Sequence, residues 1–334
     1  MKHYIALDHG GTATRGILFS DRGKIINISN DSSLYKAGER RQFSWLEHVS
    51  RLLCTLYKED ICQPKDCAAT ILSLNGVNNP QDVKRAAKEF STINRFGSIR
   101  IVNDSIAALR GCHPLHSSDG IEVVLCAGSG LNCAVRCNGE RPRSLGWRIL
   151  AEDQGGYAIG RRIWLAAMDA FNGLGEKTVL VDMLLSAYHR KSFARLIDDI
   201  STGHVRFCPE ELAPLLYGAV LAGDAVASDI VKELSARWIK YVEVILREQK
   251  VQKSSPIDLY LSGGIFVDCS NVMRKGIEEA IIASQFELHS RMACFPPIVG
   301  AALLLLDIIC RDQRTGCVRD EFLNSPRIMF EACR

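Results

Sequence analysis

The sequence predicts an α/β protein of two duplicated lobes that face each other across a cleft. A glycine-rich turn between two apolar runs occurs at residues 4–19 and again at residues 123–135. Each occurrence has the pattern of a strand, a tight turn and a second strand. The order of elements that begins at the first hairpin restarts at the second, which indicates that the architecture is repeated.

Length and composition suit this two-lobed arrangement. A chain of 334 residues is long enough for two lobes that each bury a sizeable sheet. Hydrophobic residues make up 47% of it and charged residues 24%, as is usual for a globular protein. The net charge is +3 and the charges are scattered, which argues against a nucleic-acid-binding surface and favours a small-molecule substrate.

We expect a cytoplasmic protein without a membrane segment. The apolar run at residues 301–306 ends at Asp307, well short of the roughly 18 residues of a membrane span. A strand is predicted from residue 2, which leaves no room for a signal peptide. The 13 cysteines include no CxxC pair and predict reduced, buried thiols, with a metal or cluster site as the alternative.

The first lobe is predicted over residues 1–112. Three strands open it as a meander, with a turn at Asp21-Arg22-Gly23, and helices then alternate with strands. The predicted strands are residues 2–7, 15–20, 24–29, 69–74 and 98–102, and the predicted helices are residues 45–57, 80–90 and 105–110. This order is typical of a mixed sheet with helical cover.

The second lobe is predicted over residues 113–334. Its strands are residues 121–126 and 132–137, a short extended piece near Arg143, and residues 257–261. Its helices are residues 156–172, 178–188, 209–221, 224–248, 271–284 and 298–311. No low-complexity linker separates the lobes, so we expect packed helices that allow a hinge, with the C-terminal end packed back on the first lobe.

Both glycine-rich turns carry the residues of a phosphate site. These are Gly10, Gly11, Thr12 and Thr14 in the first turn and Gly128, Ser129 and Gly130 in the second. Glycines there allow positive φ and a close approach of backbone N–H groups to a ligand, while the hydroxyls add donors. Two such turns facing each other would hold the β- and γ-phosphates of a nucleotide.

Two residues beside the first turn have alternative interpretations. Asp8 ends the first strand and places a carboxylate where a hydrated Mg²⁺ could bind, although it could instead be a hydrogen-bonded structural carboxylate. His9 is interpreted as a surface residue of the turn.

Six motifs lie along the chain in a recognisable order. They are residues 8–14, residues 101–108 with Asn103-Asp104 at a strand end, residues 127–132, residues 145–160, Leu261-Ser262-Gly263-Gly264, and residues 296–302. Together they resemble the N-acetylglucosamine kinase and BadF/BcrA-type ATPase family of the sugar kinase, heat-shock ATPase and actin superfamily. The resemblance covers nearly the whole chain and implies two ribonuclease H-like (actin-like ATPase) lobes.

The resemblance implies an ATP-dependent kinase that transfers the γ-phosphoryl group to a hydroxyl of a hexose or amino sugar, with Mg²⁺. Asp104 is then the expected catalytic base and Asn103 the residue that orients the acceptor hydroxyl, whereas Asp104 alone could also be a helix N-cap. Gly263 and Gly264 are expected on the adenosine side.

The residues expected near the sugar come from both lobes. They are Asn75, Gly76, Asn103, Asp104, Asn132, Gly146, Trp147, Asp153 and Gln154. Asp153 could instead cap the helix that follows it, and Trp147 could either stack on the sugar or pack between the lobes.

The chain departs from the family pattern at four positions. Many family members have glycine in place of His9, a basic residue in place of Ala13, an acidic residue in place of Arg15 and usually glutamate in place of Gln154. These departures leave the identity of the sugar open.

Two other functions remain alternatives. One is an ATPase that drives a redox partner, with an iron–sulfur cluster at a dimer interface; Cys126, which is expected to be buried, precedes the second turn as a cysteine does in such proteins. The other is a sugar-sensing regulator without catalysis. A homodimer is a possible assembly.

Overall fold

The two glycine-rich hairpins each begin a five-stranded mixed sheet. The structure, a computed structural model, describes residues 2–32, 45–57, 64–93, 96–114, 120–309 and 315–328. Within these residues the strands form two sheets with the orders β3-β2-β1-β4-β5 and β10-β9-β6-β7-β8. The predicted α/β class with two duplicated sheets is confirmed.

The first sheet starts as the predicted meander. Its strands are β1 (His3–His9), β2 (Thr14–Ser20), β3 (Ile25–Asp31), β4 (Cys67–Leu74) and β5 (Ser98–Asn103). β1, β2 and β3 pair antiparallel, while β4 and β5 continue parallel to β1. The carboxyl ends of β1, β4 and β5 therefore meet at one edge of the sheet.

Three helices accompany this sheet: α1 (Trp45–Leu56), α2 (Pro80–Phe90) and α3 (Asp104–Arg110). α1 buries Trp45, Val49, Leu52, Leu53 and Leu56, a helical spacing that turns one apolar face to the sheet. α2 begins where the Asn79 side chain accepts hydrogen bonds from the backbone N–H groups of Gln81 and Asp82.

The second sheet repeats the same plan. Its strands are β6 (Ile121–Ala127), β7 (Leu131–Cys137), β8 (Arg143–Ser144), β9 (Ile257–Ser262) and β10 (Leu288–Met292). β6, β7 and β8 pair antiparallel, and β9 and β10 run parallel to β6. Because both sheets share this order, β6 takes the place that β1 has in the first sheet.

The helices of the second half are mostly inserted between β8 and β9. They are α4 (Gly155–Asn172), α5 (Leu180–Ala187), α6 (Phe193–Ser201), α7 (Ala213–Leu221) and α8 (Ala225–Glu248), followed by α9 (Gly264–Val267), α10 (Val272–Ile282), α11 (Pro297–Ile309) and α12 (Thr315–Leu323). Residues 209–221, predicted as one helix, form a 3₁₀ turn at Pro209–Glu211 and then α7.

Three described α-helices, α6, α9 and α12, and the strand β10 were not predicted. The apolar spacing of α6, with Phe193, Leu196 and Ile200, was present in the sequence. β10 gave no such signal, because Leu288–Met292 is an edge strand whose side chains are mostly solvated.

α11 and α3 cross at a contact between backbones. A Cβ atom built on Gly300 would lie 1.9 Å from the carbonyl oxygen of Ala107 and 2.7 Å from the nitrogen of Gly111. α11 also packs on the first sheet, where Ile298, Val299 and Leu303 share a core with residues of β1, β2 and β4. α11, which follows the last strand of the second sheet in the chain, therefore contributes to the core of the first sheet.

The end of the chain also packs on the first sheet. Phe322 is fully buried and its ring meets that of Phe19 edge-on, with 5.2 Å between centroids. Asp307 receives ion pairs from Arg110 at 2.7 Å and Arg319 at 2.8 Å, which joins α11 to α3 and α12.

The described cysteines are free thiols of mixed exposure. Cys67, Cys112, Cys133 and Cys208 are buried as expected, whereas Cys54, Cys269, Cys294 and Cys317 are exposed, and Cys126 is only half-buried. The expectation of uniformly buried thiols was therefore wrong for several positions. Among the described helices, none combines the length and the apolar character needed to cross a membrane.

We predict that Gly300→Ala destabilises the protein. The added methyl group meets the backbone of α3, so the helices must shift apart, and we expect a loss of about 1–3 kcal/mol in the free energy of unfolding although alanine is the better helix former. Urea unfolding measures this loss. Ile308→Ala, at a half-exposed position of the same helix, is the control and should lose less than Gly300→Ala. Equal stability of Gly300→Ala and the unmodified protein would contradict the close crossing.

Candidate active site

The two glycine-rich turns meet tip to tip between the sheets. In the first turn the N–H of Gly10 donates to the carbonyl of Ala13 at 3.0 Å, and in the second the N–H of Gly128 donates to Gly130 at 2.9 Å. A Cβ atom on Gly11 would lie 2.1 Å from Oγ of Ser129. The lack of a side chain at Gly11 is what lets the turns approach this closely.

The glycines of the two turns do not use the positive φ that glycine allows. Positive φ occurs instead at Gly76, Gly146 and Gly263, which lie around the site. Crowding is greatest at Gly11, whose Cβ would meet the Ser129 hydroxyl, whereas nothing described lies within 4 Å of a Cβ on Gly128, so the surface there is open to an incoming group.

The first turn of α4 holds the carbonyl groups of the second turn. The N–H of Gly156 donates to the carbonyl of Gly128 at 2.7 Å, and the N–H of Tyr157 donates to Ser129 at 3.1 Å. A trans peptide points its N–H opposite to its C=O, so the N–H groups of Ser129 and Gly130 point away from α4. Within the described part of the chain neither donates a hydrogen bond, which leaves both for an anion.

This arrangement requires a glycine at position 155. Gly155 has a φ of +36°, and its Cβ would lie 2.2 Å from the carbonyl oxygen of Gly130 and 2.5 Å from that of Gly128. Gln154 supports the turn from the same side, because its Oε1 accepts from the N–H of Leu131 at 2.8 Å.

Asp104 lies where β5 ends and α3 begins. Asn103, not Asp104, is the N-cap, since Oδ1 of Asn103 accepts from the N–H of Ser105 at 3.0 Å. Asp104 Oδ1 also accepts from this N–H, at 2.8 Å. Burial raises the pKa of Asp104 above its ordinary value. A carboxylate with a raised pKa is a stronger proton acceptor.

The side chain of Asn103 holds loops of the first lobe in place. Its Nδ2 donates to the carbonyl of Val77 at 2.9 Å and to Oδ1 of Asn78 at 3.0 Å. The same side chain also accepts the capping hydrogen bond from Ser105. Because its polar atoms are used in these contacts, Asn103 supports the structure next to Asp104.

Asn132 connects the second sheet to Asp104. Its Nδ2 donates to Oδ1 of Asn103 at 3.1 Å and to Oδ1 of Asp104 at 3.4 Å. Its Oδ1 accepts from the N–H of Gly146 at 3.1 Å and from Oγ of Ser144 at 3.2 Å.

Ser144 belongs to the same network and was not predicted. Oγ of Ser105 donates to Oγ of Ser144 at 2.9 Å, which is a further side-chain hydrogen bond between the two halves. Residues 105 and 144 are far apart in the chain, so no local pattern marks the pair.

Asp8 is a buried carboxylate with one described hydrogen bond. Oγ of Ser73 donates to its Oδ1 at 2.8 Å. The pKa of Asp8 is raised to about 6, first by burial and further by the charge of Asp104. Two carboxylates in each other's field make a place where a divalent cation is favoured.

This donor set fits Mg²⁺ bound together with phosphates. Among the described residues there is no group of three or more His, Cys, Asp or Glu side chains that would enclose a metal. Mg²⁺ characteristically binds one or two carboxylates and completes its shell with water and phosphate oxygens. Asp8 has the character of such a ligand.

His9 is not the surface turn residue that we expected. It is fully buried in β1, and its Nε2 lies 3.1 Å from Nδ1 of His48 on α1. Burial, and then the charge of His48, lower the pKa of His9 to about 4. Its ring is therefore neutral at physiological pH.

Residues expected near the sugar lie on both sides of the site. A Cβ on Gly146 would lie 2.9 Å from Cβ of Asn78, so the second half abuts the first here. Asn75 lies under the first turn, with its Nδ2 3.8 Å from the Cβ position of Gly11. Gly76 follows it, and Trp147 is 69% exposed, which does not fit packing between the lobes.

Asp153 has partners that neither interpretation predicted. Its Oδ2 accepts from Nε of Arg237 at 2.8 Å and from the hydroxyl of Tyr241 at 2.6 Å, both on α8. The carboxylate is buried and does not cap α4, whose N-cap is Gln154. Asp153 thus ties the start of α4 to α8.

Gly263 and Gly264 form the turn from β9 into α9. Gly263 has a φ of +101°, and a Cβ there would lie 2.3 Å from the carbonyl oxygen of Ala127. Gly264 has nothing described within 4 Å of its Cβ position. The turn therefore presents open backbone next to the second glycine-rich turn.

Comparison with known proteins places these features in a family context. The model of the BadF/BadG/BcrA/BcrD ATPase family matches residues 5–304. An N-acetylmuramic acid/N-acetylglucosamine kinase of Clostridium acetobutylicum is 28% identical over 274 residues, which cover 79% of this chain and 86% of that protein.

Solved structures show the fold. A Chromobacterium violaceum protein provisionally named as an N-acetylglucosamine kinase has a TM-score of 0.66 at 20% identity, covering 91% of this chain and 99% of that one. A ROK family glucokinase of Streptomyces griseus, in complex with glucose and AMPPNP, has a TM-score of 0.56 at 15% identity, covering 90% and 98%. The two sheets thus have the actin-like ATPase fold of sugar kinases.

We predict that substitutions of two glycines of this site have different effects. Gly128→Ala adds a methyl group to open space, so stability should change by less than about 0.5 kcal/mol while affinity for an ATP analogue falls about tenfold. Gly155→Ala meets two carbonyl oxygens and should lower the melting temperature instead. Calorimetric binding and thermal unfolding of both variants separate these effects. Unchanged nucleotide affinity in Gly128→Ala would remove the second turn from the phosphate site.

We also predict that Asp8→Asn stabilises the ligand-free protein at pH 8. The folded-state pKa of about 6 lies above the ordinary value, so the group's contribution to stability falls as pH rises through about 6. Asparagine removes the buried charge and should add up to about 3 kcal/mol at pH 8, a gain that shrinks toward pH 4. Urea unfolding at several pH values measures this. The exposed Asp229→Asn is the control, and a less stable Asp8→Asn at pH 8 would contradict the prediction.

Proposed function

The chain belongs to the BadF/BadG/BcrA/BcrD ATPase family, and from this premise we propose that it is an ATP-dependent sugar kinase. It transfers the γ-phosphoryl group of ATP to a hydroxyl of an amino sugar or hexose, with an N-acetylglucosamine-like sugar as the first candidate. The observation that carries the proposal is the position of Asp104, which Asn132 contacts from the opposite sheet and whose charge contributes to the raised pKa of Asp8. The name of the Clostridium acetobutylicum relative supports the substrate class.

The two turns bind the phosphates of ATP. The N–H groups of Ser129 and Gly130 donate to phosphate oxygens from one side, and Gly11 and Thr12, which are exposed, approach from the other. Thr14 is buried and supports the first turn. Gly263 and Gly264 lie on the adenosine side, where backbone without side chains admits the nucleoside.

Asp8 would hold Mg²⁺ together with the phosphates. The metal, when bound, would neutralise charge on the β- and γ-phosphates. It would also offset the unfavourable free energy of the buried Asp8 carboxylate charge. Ser73 fixes the carboxylate by donating to one of its oxygens, which leaves the other oxygen for the cation.

Asp104 accepts the proton of the acceptor hydroxyl as that oxygen attacks the γ-phosphorus and ADP leaves. A general base of this kind contributes about 10²–10⁴-fold to the rate. Asn132 and Ser105 hold the carboxylate in place, and the raised pKa of Asp104 suits it to take the proton. Closure of the lobes around both substrates excludes water, which would otherwise accept the phosphoryl group.

The sugar lies between Asn75 and Gly76 of the first lobe and Gly146 and Trp147 of the second. The exposed ring of Trp147 offers a face for stacking on a sugar. Asn103, Asp153 and Gln154 support these groups through the contacts described above.

The redox-activator alternative is less well supported. Its cluster would need a thiolate, and the pKa of Cys126 is raised well above its ordinary value, chiefly by burial and then by the charge of Asp104. The relatives named above are sugar kinases. A homodimer and a cytoplasmic location stay predictions.

A panel of sugars tests the proposal. We expect release of ADP that depends on N-acetylglucosamine or a related amino sugar, and a product heavier by one phosphoryl group in mass spectrometry. Glucose and a non-sugar alcohol serve as comparison acceptors, and iron is measured in protein purified without oxygen. Hydrolysis that no sugar stimulates, with iron bound at a defined ratio, would favour the redox activator and contradict the kinase.

Asp104→Asn should lower kcat by at least about 10²-fold. Asparagine keeps the oxygen that accepts from Ser105 and Asn132, so the fold and the affinity for an ATP analogue should stay near those of the unmodified protein. Steady-state kinetics and calorimetry measure the two effects, with Asp229→Asn as the matched control. A variant that retains full kcat would exclude Asp104 as the base.

A further inference from the structure

The Gln154 side chain bridges two parts of the site that bind different substrates. Its Oε1 accepts from the N–H of Leu131 at 2.8 Å, and its Nε2 donates to the carbonyl of Ile149 at 3.1 Å. A carboxamide can do both at once because it carries an acceptor and a donor, whereas a carboxylate has only acceptors.

The first end of the bridge holds the second phosphate turn. Leu131 directly follows Gly130, and a Cβ on Gly130 would lie 3.1 Å from Oε1 of Gln154. The carboxamide is therefore packed against the turn that presents the N–H groups of Ser129 and Gly130. Gln154 thus fixes the C-terminal end of the turn at Leu131, while α4 holds its carbonyl groups.

The second end of the bridge holds the sugar side. Ile149 follows the 3₁₀ turn Gly146–Arg148, which carries Trp147. The main chain of Gln154 belongs to the same unit, because its N–H donates to Ala151 at 3.3 Å and its carbonyl accepts from Ala158 of α4 at 2.8 Å. α4 in turn holds the carbonyls of Gly128 and Ser129.

We infer that Gln154 is a positioning residue that couples the sugar site to the phosphate site. This inference rests on the proposed function. A sugar that orders the turn at Gly146–Arg148 fixes the carbonyl of Ile149, and the bridge then fixes the second phosphate turn in its binding shape. Sugar and nucleotide each tighten the other, since such coupling is reciprocal.

Glutamate at this position would alter the bridge in one defined way. Its carboxylate keeps an acceptor for the N–H of Leu131 but has no donor for Ile149, and it adds negative charge beside the phosphate turn. Methionine has a similar length and keeps neither hydrogen bond. The two substitutions therefore separate the two ends of the bridge.

The experiment measures the affinity for magnesium AMP-PNP by calorimetry, with and without saturating N-acetylglucosamine. The unmodified protein should bind AMP-PNP at least about fivefold more tightly with the sugar present, the lower end of typical coupling. In Gln154→Met this ratio should fall below about twofold, and AMP-PNP alone should bind more weakly. Gln154→Glu should also lose the coupling. Leu150→Ala, at an exposed neighbouring side chain, is the matched control and should keep the ratio.

The outcomes separate this inference from the proposed function. A Gln154→Met variant that keeps the ratio, or an unmodified protein that phosphorylates the sugar without any coupling, overturns the inference. If no sugar is phosphorylated, the proposed function fails. The affinity for AMP-PNP alone then tests the role of Gln154: equal affinity in Gln154→Met and Leu150→Ala would show that Gln154 does not position the second phosphate turn. A lower melting temperature alone does not support the inference, because a merely structural role would produce it.

Discussion

The side chain of Asn132 is the contact on which the rest of the site depends. It extends from the second sheet and donates to Asn103 and Asp104 of the first, while its own oxygen accepts from Ser144 and Gly146. Each such hydrogen bond contributes only about 1 kcal/mol to stability, yet an unpaired buried amide costs about as much or more. The contacts therefore form together and define where Asp104 lies relative to the glycine-rich turns.

Around this network, neighbouring segments pack closely because glycines occupy a few positions. Gly11 admits Ser129 between the turns, Gly155 admits the carbonyls of the second turn to α4, and Gly300 admits α3 to α11. Because the two sheets have the same strand order, these contacts bring the ends of β1 and β6 to one place. The orientation of the N–H groups of Ser129 and Gly130 is thus a consequence of packing.

The charges of the site are arranged at a cost to the ligand-free protein. Asp8 and Asp104 are carboxylates whose pKa values burial raises, and the charge of Asp104 raises the pKa of Asp8 further. The ring of the neighbouring His9 is neutral and adds no positive charge, and the charge of Arg15 only partly offsets the raised pKa of Asp8. A site of this kind favours a cation and is less stable without one, as functional sites often are.

Local sequence determined the hairpins, the class of fold and the position of Asp104 at the end of a strand, because apolar periodicity and glycine turns act over a few residues. Only the tertiary structure decided what Asp153 and Gln154 contact, that His9 is buried and that Ser144 joins the halves. The partners of Asp153 are 84 and 88 residues away in the chain, on α8. Contacts between side chains at such separations leave no local pattern in the sequence, because the packing of the whole domain brings the residues together.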